Sequence, residues 1–405
     1  MTRPPPVPLA WRNLAHDPVR FGLFASGIGF AVVLMGVQLG IMNAMLDGNT
    51  LLLRRLDADL VLVNPARPAL VFTETFSRRR VEQAAGVPGV ASVHPVLVEH
   101  NFGSLRHTAA DPAGRTQTRR LRVVGVDPAA RVFDLPNLDP GAWDALAAPG
   151  AALFDRRSRP HPEPASPGET VFGPFETGTR TELAGQDLTL VGGFDLGFDF
   201  ATDGTLVLGD RTFARLLREP YHPQSPLAAV DFAAVRVEPG ADVAAVRERL
   251  RAALGGGEDV AVLTKAELVD RERAFWWVST PIGFAFGAGV VLGFVVGVVI
   301  CYQILSGDVA DHLPQYATLK AMGYRNGYLS GVVLQEAGIL ALAGYLPGMV
   351  VTYGAYRLLT DLTGMPLELT PGRVGLVFAL TAGMCAASGL LAVRRVKAAD
   401  PADVF

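Results

Sequence analysis

The sequence predicts a membrane α-helical protein: four transmembrane helices, with an α+β extracytoplasmic domain inserted between TM1 and TM2. Three observations predict it. Four stretches carry no charged side chain over the roughly 20 residues a helix needs to cross hydrocarbon: Phe21 to Leu46, Ala274 to Gly307, Ala337 to Tyr356 and Val374 to Val393. The stretches are unevenly spaced, one near the N-terminus and three in the last third, with the mostly polar residues 47–273 between. That polar stretch alternates strand-like and helix-like patterns, as a folded domain does.

TM1 is placed at residues 21–46. A cleaved signal peptide has an apolar core of only about 7 to 15 residues and ends in a small-residue site. This run is longer, and the NAMLDGN that closes it is a poor cleavage site, so it reads as a retained anchor.

The extracytoplasmic domain is placed at residues 47–273. Two pieces of it have the same strand, helix, strand order, about 50–130 and 227–264. In the second, Val243, Val246, Leu250 and Leu254 recur on one helical face, while Arg247, Glu248 and Arg251 are expected to face water. The two pieces are expected to pack as one membrane-proximal α+β subdomain. Residues 131–226, rich in proline and glycine, read as an inserted, mainly β subdomain with a loop at Arg156 to Pro167.

A stalk helix is placed at 265–280. Thr264 followed by Glu267 spells a capping box, and Glu267 and Arg271 stand at i and i+4 in the favourable order. Phe275, Trp276 and Trp277 offer an aromatic belt at the membrane interface. A bend near Pro281, or an interfacial helix ended by that proline, are both compatible with the pattern.

TM2 follows at 281–305, a cytoplasmic coupling loop at 306–328, TM3 at 329–356, a short outer loop at 357–373, TM4 at 374–393 and a cytoplasmic tail at 394–405. Arg12 and Arg20 precede the first span, and Arg394, Arg395 and Lys397 follow the last. The positive-inside rule therefore puts both termini in the cytoplasm and the large domain outside.

Inside the spans, Gly283 and Gly287, then Gly289, Gly293 and Gly297, recur four apart, as do Gly36 and Gly40. This spacing lets helix backbones approach closely, within one chain or across a dimer seam. Glu336 is the one ionisable residue expected at membrane depth, about one turn inside TM3, suited to a hydrogen bond with a neighbouring span. Secondary transporters carry paired halves with broken helices or charges at midplane, and neither pattern is present.

Composition narrows the function further. The chain is 50% hydrophobic and 19% charged with a net charge of −3, giving no basic excess for nucleic acid. Both cysteines, Cys301 and Cys385, fall inside predicted spans, so no disulfide is expected in the soluble domain. The only lysines, Lys265, Lys320 and Lys397, are each followed by alanine, which rules out a P-loop. No HExxH, CxxC or GxSxG occurs, and His94, His100 and His107 lack metal-ligand spacing. No catalytic residue and no metal site is expected.

LAWRNLAHDPVRFGLFASGIGFAVVLMGVQLGIMNAML, HLPQYATLKAMGYRNGYLSGVVLQEAGILALAGYLPG and VRRVKAADPADVF together resemble the DevC-type permeases of ABC exporters, within the MacB/FtsX-like permease superfamily. The resemblance covers both ends and about a third of the chain. It implies that Gln315, Tyr316, Leu319, Lys320, Met322 and Gly323 form the segment that couples to a separate ABC ATPase subunit, which would bind ATP and Mg. Related sequences carry an acidic residue where this one has Gln315. It further implies that Trp11, Arg12 and Asn13 lie in an amphipathic helix on the inner membrane face, with Trp11 and Leu14 toward lipid.

The expected function is that of a permease subunit in the cell inner membrane, working as a homodimer by mechanotransmission. ATP-driven movement of the coupling segments would be carried outward, and a lipid-like or amphiphilic substrate exported through a periplasmic adaptor protein and an outer-membrane channel. Two alternatives remain open at this stage, an FtsX-like regulator of a cell-wall hydrolase and a lipoprotein-releasing permease.

Overall fold

The computed structural model describes residues 18–100, 104–110, 116–158, 176–199, 201–220, 225–256, 259–312, 314–315, 318, 322, 326–363, 365 and 367–398. The chain divides into two compact units, Met1–Ala44 with Pro281–Phe405, and Met45–Thr280.

The first unit is built on helices long and apolar enough to cross a membrane. These are α1 (Pro18–Arg54), which continues into the second unit, α7 (Pro281–Asp311), α8 (Asn326–Thr363) and α9 (Pro371–Ala398). Each extends beyond the span expected from its charge-free core, because a helix needs no apolar residues to continue past hydrocarbon. Pro347 lies inside α8. Helices in lipid tolerate proline where neighbouring helices satisfy the backbone it frees.

The second unit holds an 11-stranded sheet. Its strands are β1 (Leu60–Val63), β3 (Val90–Glu99), β4 (Ser104–Ala110), β5 (Thr116–Arg120), β6 (Arg122–Val126), β7 (Ala151–Asp155), β8 (Arg180–Leu183), β9 (Gln186–Phe194), β10 (Thr205–Gly209), β12 (Phe232–Val237) and β13 (Ala261–Thr264). The spatial order is β13-β1-β12-β3-β6-β10-β7-β9-β8-β4-β5. Two short strands, β2 (Phe76–Ser77) and β11 (Ala229–Val230), pair separately. The helices of this unit are α2 (Arg79–Ala85), α3 (Ala142–Ala145), α4 (Asp210–Phe213) running into a π-turn (Ala214–Arg218), α5 (Val243–Ala253) and α6 (Lys265–Val278).

Strand β1 explains the layering. All four residues of its LVLV are buried, because both faces of the sheet are covered. Leu60 and Leu62 join a cluster with Val81 and Ala84 of α2, Val246 and Leu250 of α5, and Leu254 just past its end. Val61 and Val63 point the other way, into a cluster with Leu52 and Leu53 of α1, Leu56 just past its end, and Leu268 of α6. The two strand, helix, strand pieces thus interleave in one half of the sheet.

The expected separation of an inserted subdomain near residue 130 does not hold. Strand β3 pairs through Val90–Val96 with β12 and through Leu97–Glu99 with β6, so one long strand belongs to both halves. Strands β4, β5 and β6, assigned from sequence to the first half, join the strands of the insertion. Gly125 on β6 is required there: a Cβ would lie 2.6 Å from the ring of Phe213, which packs over it.

Candidate functional site

The capping box that begins α6 is formed on both sides. Thr264 Oγ1 accepts from Glu267 N at 3.1 Å and Glu267 Oε2 accepts from Thr264 N at 2.8 Å. The backbone amide of Thr264, chiefly, and the Arg247 guanidinium hold the Glu267 carboxyl below its usual range. Arg247 is the ion-pair partner, at 2.6 Å, so the expected Glu267–Arg271 pair is not made and Arg247 is not left to water. Arg271 instead donates to Pro65 O at 2.7 Å and to Arg67 O.

The rest of α6 is no free-standing stalk, since Leu268, Glu272 and Trp276 are buried within the soluble unit. Glu272 accepts from Leu70 N at 2.7 Å and from Trp276 Nε1 at 2.8 Å. Burial pushes the Glu272 carboxyl up, and these two donors, with Arg122 and Arg67, pull it back. Trp276, expected at the membrane interface, is a core residue. Its indole N–H needs a buried acceptor, and Glu272 one turn earlier supplies it. Phe275 meets Phe72 edge to face at 5.3 Å, and Trp277 is exposed. The helix ends at Val278, and Pro281 begins α7.

The loop that α6 grips is itself held by buried charge. Arg67 Nη1 lies 2.7 Å from Asp231 Oδ1, and Arg218 reaches Asp231 Oδ2 at 2.7 Å, which also accepts from Val98 N. A second pair, Arg122 with Asp199 at 2.5 Å, is completed by Thr205 Oγ1. His100 feels both Arg122 and Arg67, and burial together with these cations pushes its imidazole down to about 3. Burial likewise pushes the Asp155 carboxyl up, against the amides of Leu196, Arg157 and Gly197 that donate to it.

The bundle is organised by small residues. A Cβ on Gly289 would lie 2.8 Å from Gln38, on Gly293 3.0 Å from Met35, and on Gly297 2.3 Å from Met384. These three glycines make room for side chains of neighbouring helices within the chain. Gly283 is buried and Gly287 half-buried. A second seam joins α1 to α8, where Gly36 and Gly40 make room for Thr352 and Tyr356 and the Tyr356 hydroxyl donates to Gly36 O at 2.7 Å.

Glu336 on α8 is fully buried, and its carboxyl is in hydrogen-bond contact with that of Asp308 on α7, itself only 5% exposed. Sequence reading placed Asp308 in the coupling loop at 306–328, whereas it lies within α7. The spacing that would have flagged it, one helical turn before His312, was present: His312 Nδ1 lies 2.9 Å from Asp308 O and 3.6 Å from Asp308 Oδ1. On the same side of the bundle Arg20 of α1 pairs with Asp311 at 2.6 Å.

Two family models match the chain in sequence order. The MacB-like periplasmic core domain covers residues 21–253, more than half of the chain, and the FtsX-like permease C-terminal covers residues 287–401. The chain belongs to the MacB/FtsX-like permeases. Among solved structures, this permease is similar to the periplasmic region of MacB from Actinobacillus actinomycetemcomitans, at 12% identity and a TM-score of 0.35, over 54% of this chain and 94% of that one. It is also similar to the extracellular domain of the noncanonic ABC-type transporter YknZ from Gram-positive bacteria, at 12% identity and a TM-score of 0.33, over 51% of this chain and 99% of that one. A comparison with curated protein sequences gives no significant match.

In this permease the segment expected to meet an ATPase follows α7 directly. Gln315 and Met322 are exposed. Gln315 N donates to His312 O and Met322 N to Thr318 O, both at 3.0 Å. Tyr316, Leu319, Lys320 and Gly323 lie outside the described residues, as do Trp11, Arg12 and Asn13.

Proposed function

We propose that the chain is the permease subunit of an ABC-type exporter, placed in the cell inner membrane with both termini cytoplasmic and the soluble unit periplasmic. The observation that carries this reading is the joint family match: a MacB-like match over residues 21–253, first span included, and an FtsX-like C-terminal match over residues 287–401. ATP and Mg are bound by a separate ABC ATPase subunit, which docks on the segment around Gln315 to Gly323. Two copies of the chain form the working permease.

The work is mechanical. Helix α1 contributes Leu52 and Leu53 to the core of the soluble unit, and α6 is fixed to that unit by Glu272, Arg271 and its capping box. Elements anchored this way pass displacement to the sheet instead of absorbing it as local bending. A lipid-like or amphiphilic substrate then leaves through a periplasmic adaptor protein and an outer-membrane channel.

The test is recovery of the intact complex from membranes through a tag on this chain, with identification of bound proteins and lipids. An ABC ATPase with an adaptor is expected, and Met322→Glu should lower ATPase recovery severalfold. Robust ATP hydrolysis by the purified chain alone would overturn the reading. A cell-wall hydrolase in place of the adaptor would move the assignment to an FtsX-like regulator, and a soluble periplasmic acceptor to lipoprotein release.

A further inference from the structure

Three helices bring titratable side chains together at one end of the bundle. From α7 come Asp308 and Asp311, with His312 just past its end; from α8 comes Glu336; from α1 comes Arg20. Among the described residues, His312, Arg20 and Asp311 are the charged or titratable groups that act on Asp308 besides Glu336. Their arrangement is unequal. Arg20 is engaged by Asp311 at 2.6 Å, where both side chains are at least a third exposed. His312 directs Nδ1 at the Asp308 carbonyl oxygen, leaving the carboxylate 3.6 Å away. Asp308 and Glu336 face each other out of water, and Asp308 Oδ2 has no hydrogen-bond donor in the protein.

Two ionised carboxylates cannot remain in contact in a low-dielectric interior, because their repulsion and their lost hydration add. One proton between them removes both costs and turns the repulsion into a hydrogen bond. We infer that Asp308 and Glu336 share a single proton at neutral pH and act as a latch between α7 and α8, joining the last turn of α7 to the N-terminal third of α8. With the proton in place the two helices are tied together at this contact. Loss of the proton leaves two facing anions and drives the helices apart there. The inference concerns this chain's own helices and does not rest on the exporter reading.

The test is an infrared pH titration of the full chain in lipid nanodiscs, without partners. A carbonyl band from about one protonated, deuterium-sensitive carboxyl per chain, over and above any band from the buried Glu272 and Asp155 that wild type and double variant share, is expected at neutral pH. The band should vanish on alkalinisation and be absent from the double variant Asp308→Asn with Glu336→Gln. Absence of such a band from the wild type overturns the proposal without any variant, as does its persistence in the double variant. Glu336→Gln, which keeps a donor for Asp308, should also remove the fall in melting temperature that the wild type shows as pH rises above neutral. An unchanged fall would overturn the latch.

Discussion

The soluble unit and the helix bundle solve the same packing problem with opposite materials. In the soluble unit, guanidiniums are buried against carboxylates, as in Arg67–Asp231–Arg218 and Arg122–Asp199. The bundle instead joins helices where a side chain is missing, with Gly36 and Gly40 giving their space to Thr352 and Tyr356, and Gly297 to Met384. The difference follows from solvent. A chain folding from water must bury polar groups already hydrated, so it keeps them in pairs. Helices already in lipid gain little from apolar contact alone and depend on close approach and a few interhelical hydrogen bonds. Asp308 with Glu336 is the exception, a polar contact of the first kind inside the second kind of structure.

Breaking the ionic side of this contrast should have the largest effect. Asp231→Ala leaves Arg67 and Arg218 buried without their carboxylate, and should destabilise the soluble unit by about 3–5 kcal/mol in chemical denaturation of the full chain. A loss below about 1 kcal/mol would show that water reaches the two guanidiniums. Gly40→Val tests the other side. Even a Cβ there would lie 2.3 Å from the Tyr356 ring, so the seam must open and the bond to Gly36 O break. A cost of about 1–3 kcal/mol is expected, read as a lower melting temperature in detergent.

The effect that is smallest at neutral pH, and grows only in acid, sharpens the comparison. His100 titrates near 3 in the folded protein and near 6.5 when unfolded, so the unfolded chain binds the extra proton between those values. The stability that depends on neutral His100 is complete above pH 6.5 and is lost as pH falls toward 3. The slope is at most about 1.4 kcal/mol per pH unit. His100→Gln should flatten the acid limb of a melting-temperature profile, and an identical limb in both proteins would mean that the imidazole is hydrated.

What was legible in the sequence was local. The capping box of Thr264 and Glu267 and the apolar face of Val246, Leu250 and Leu254 need only a few residues of spacing to be read. The four spans are visible because charge must be absent over a membrane's thickness. What was not legible depends on partners far along the chain. Arg271 was matched to Glu267 by helical spacing, yet it serves carbonyls of Pro65 and Arg67 that α6 meets only after folding. Trp276 carries the same indole at an interface or in a core, and only the placement of Glu272 and Leu70 decides between them. Asp308 read as a loop residue because its partner, Glu336, comes from the next helix. The glycine ladder of α7 announced close packing but not against what.

Strand β3 imposes a rule on anyone recombining these permeases. Because its first residues pair with β12 and its last with β6, the region carried between residues 100 and 226 cannot be excised at a seam. Removing it would strip Leu97, Val98 and Glu99 of their backbone partners and turn a central strand into an open edge, a template for aggregation. Heads should therefore be exchanged whole, with both cuts outside the sheet, and chimeras cut within β3 should accumulate as insoluble protein.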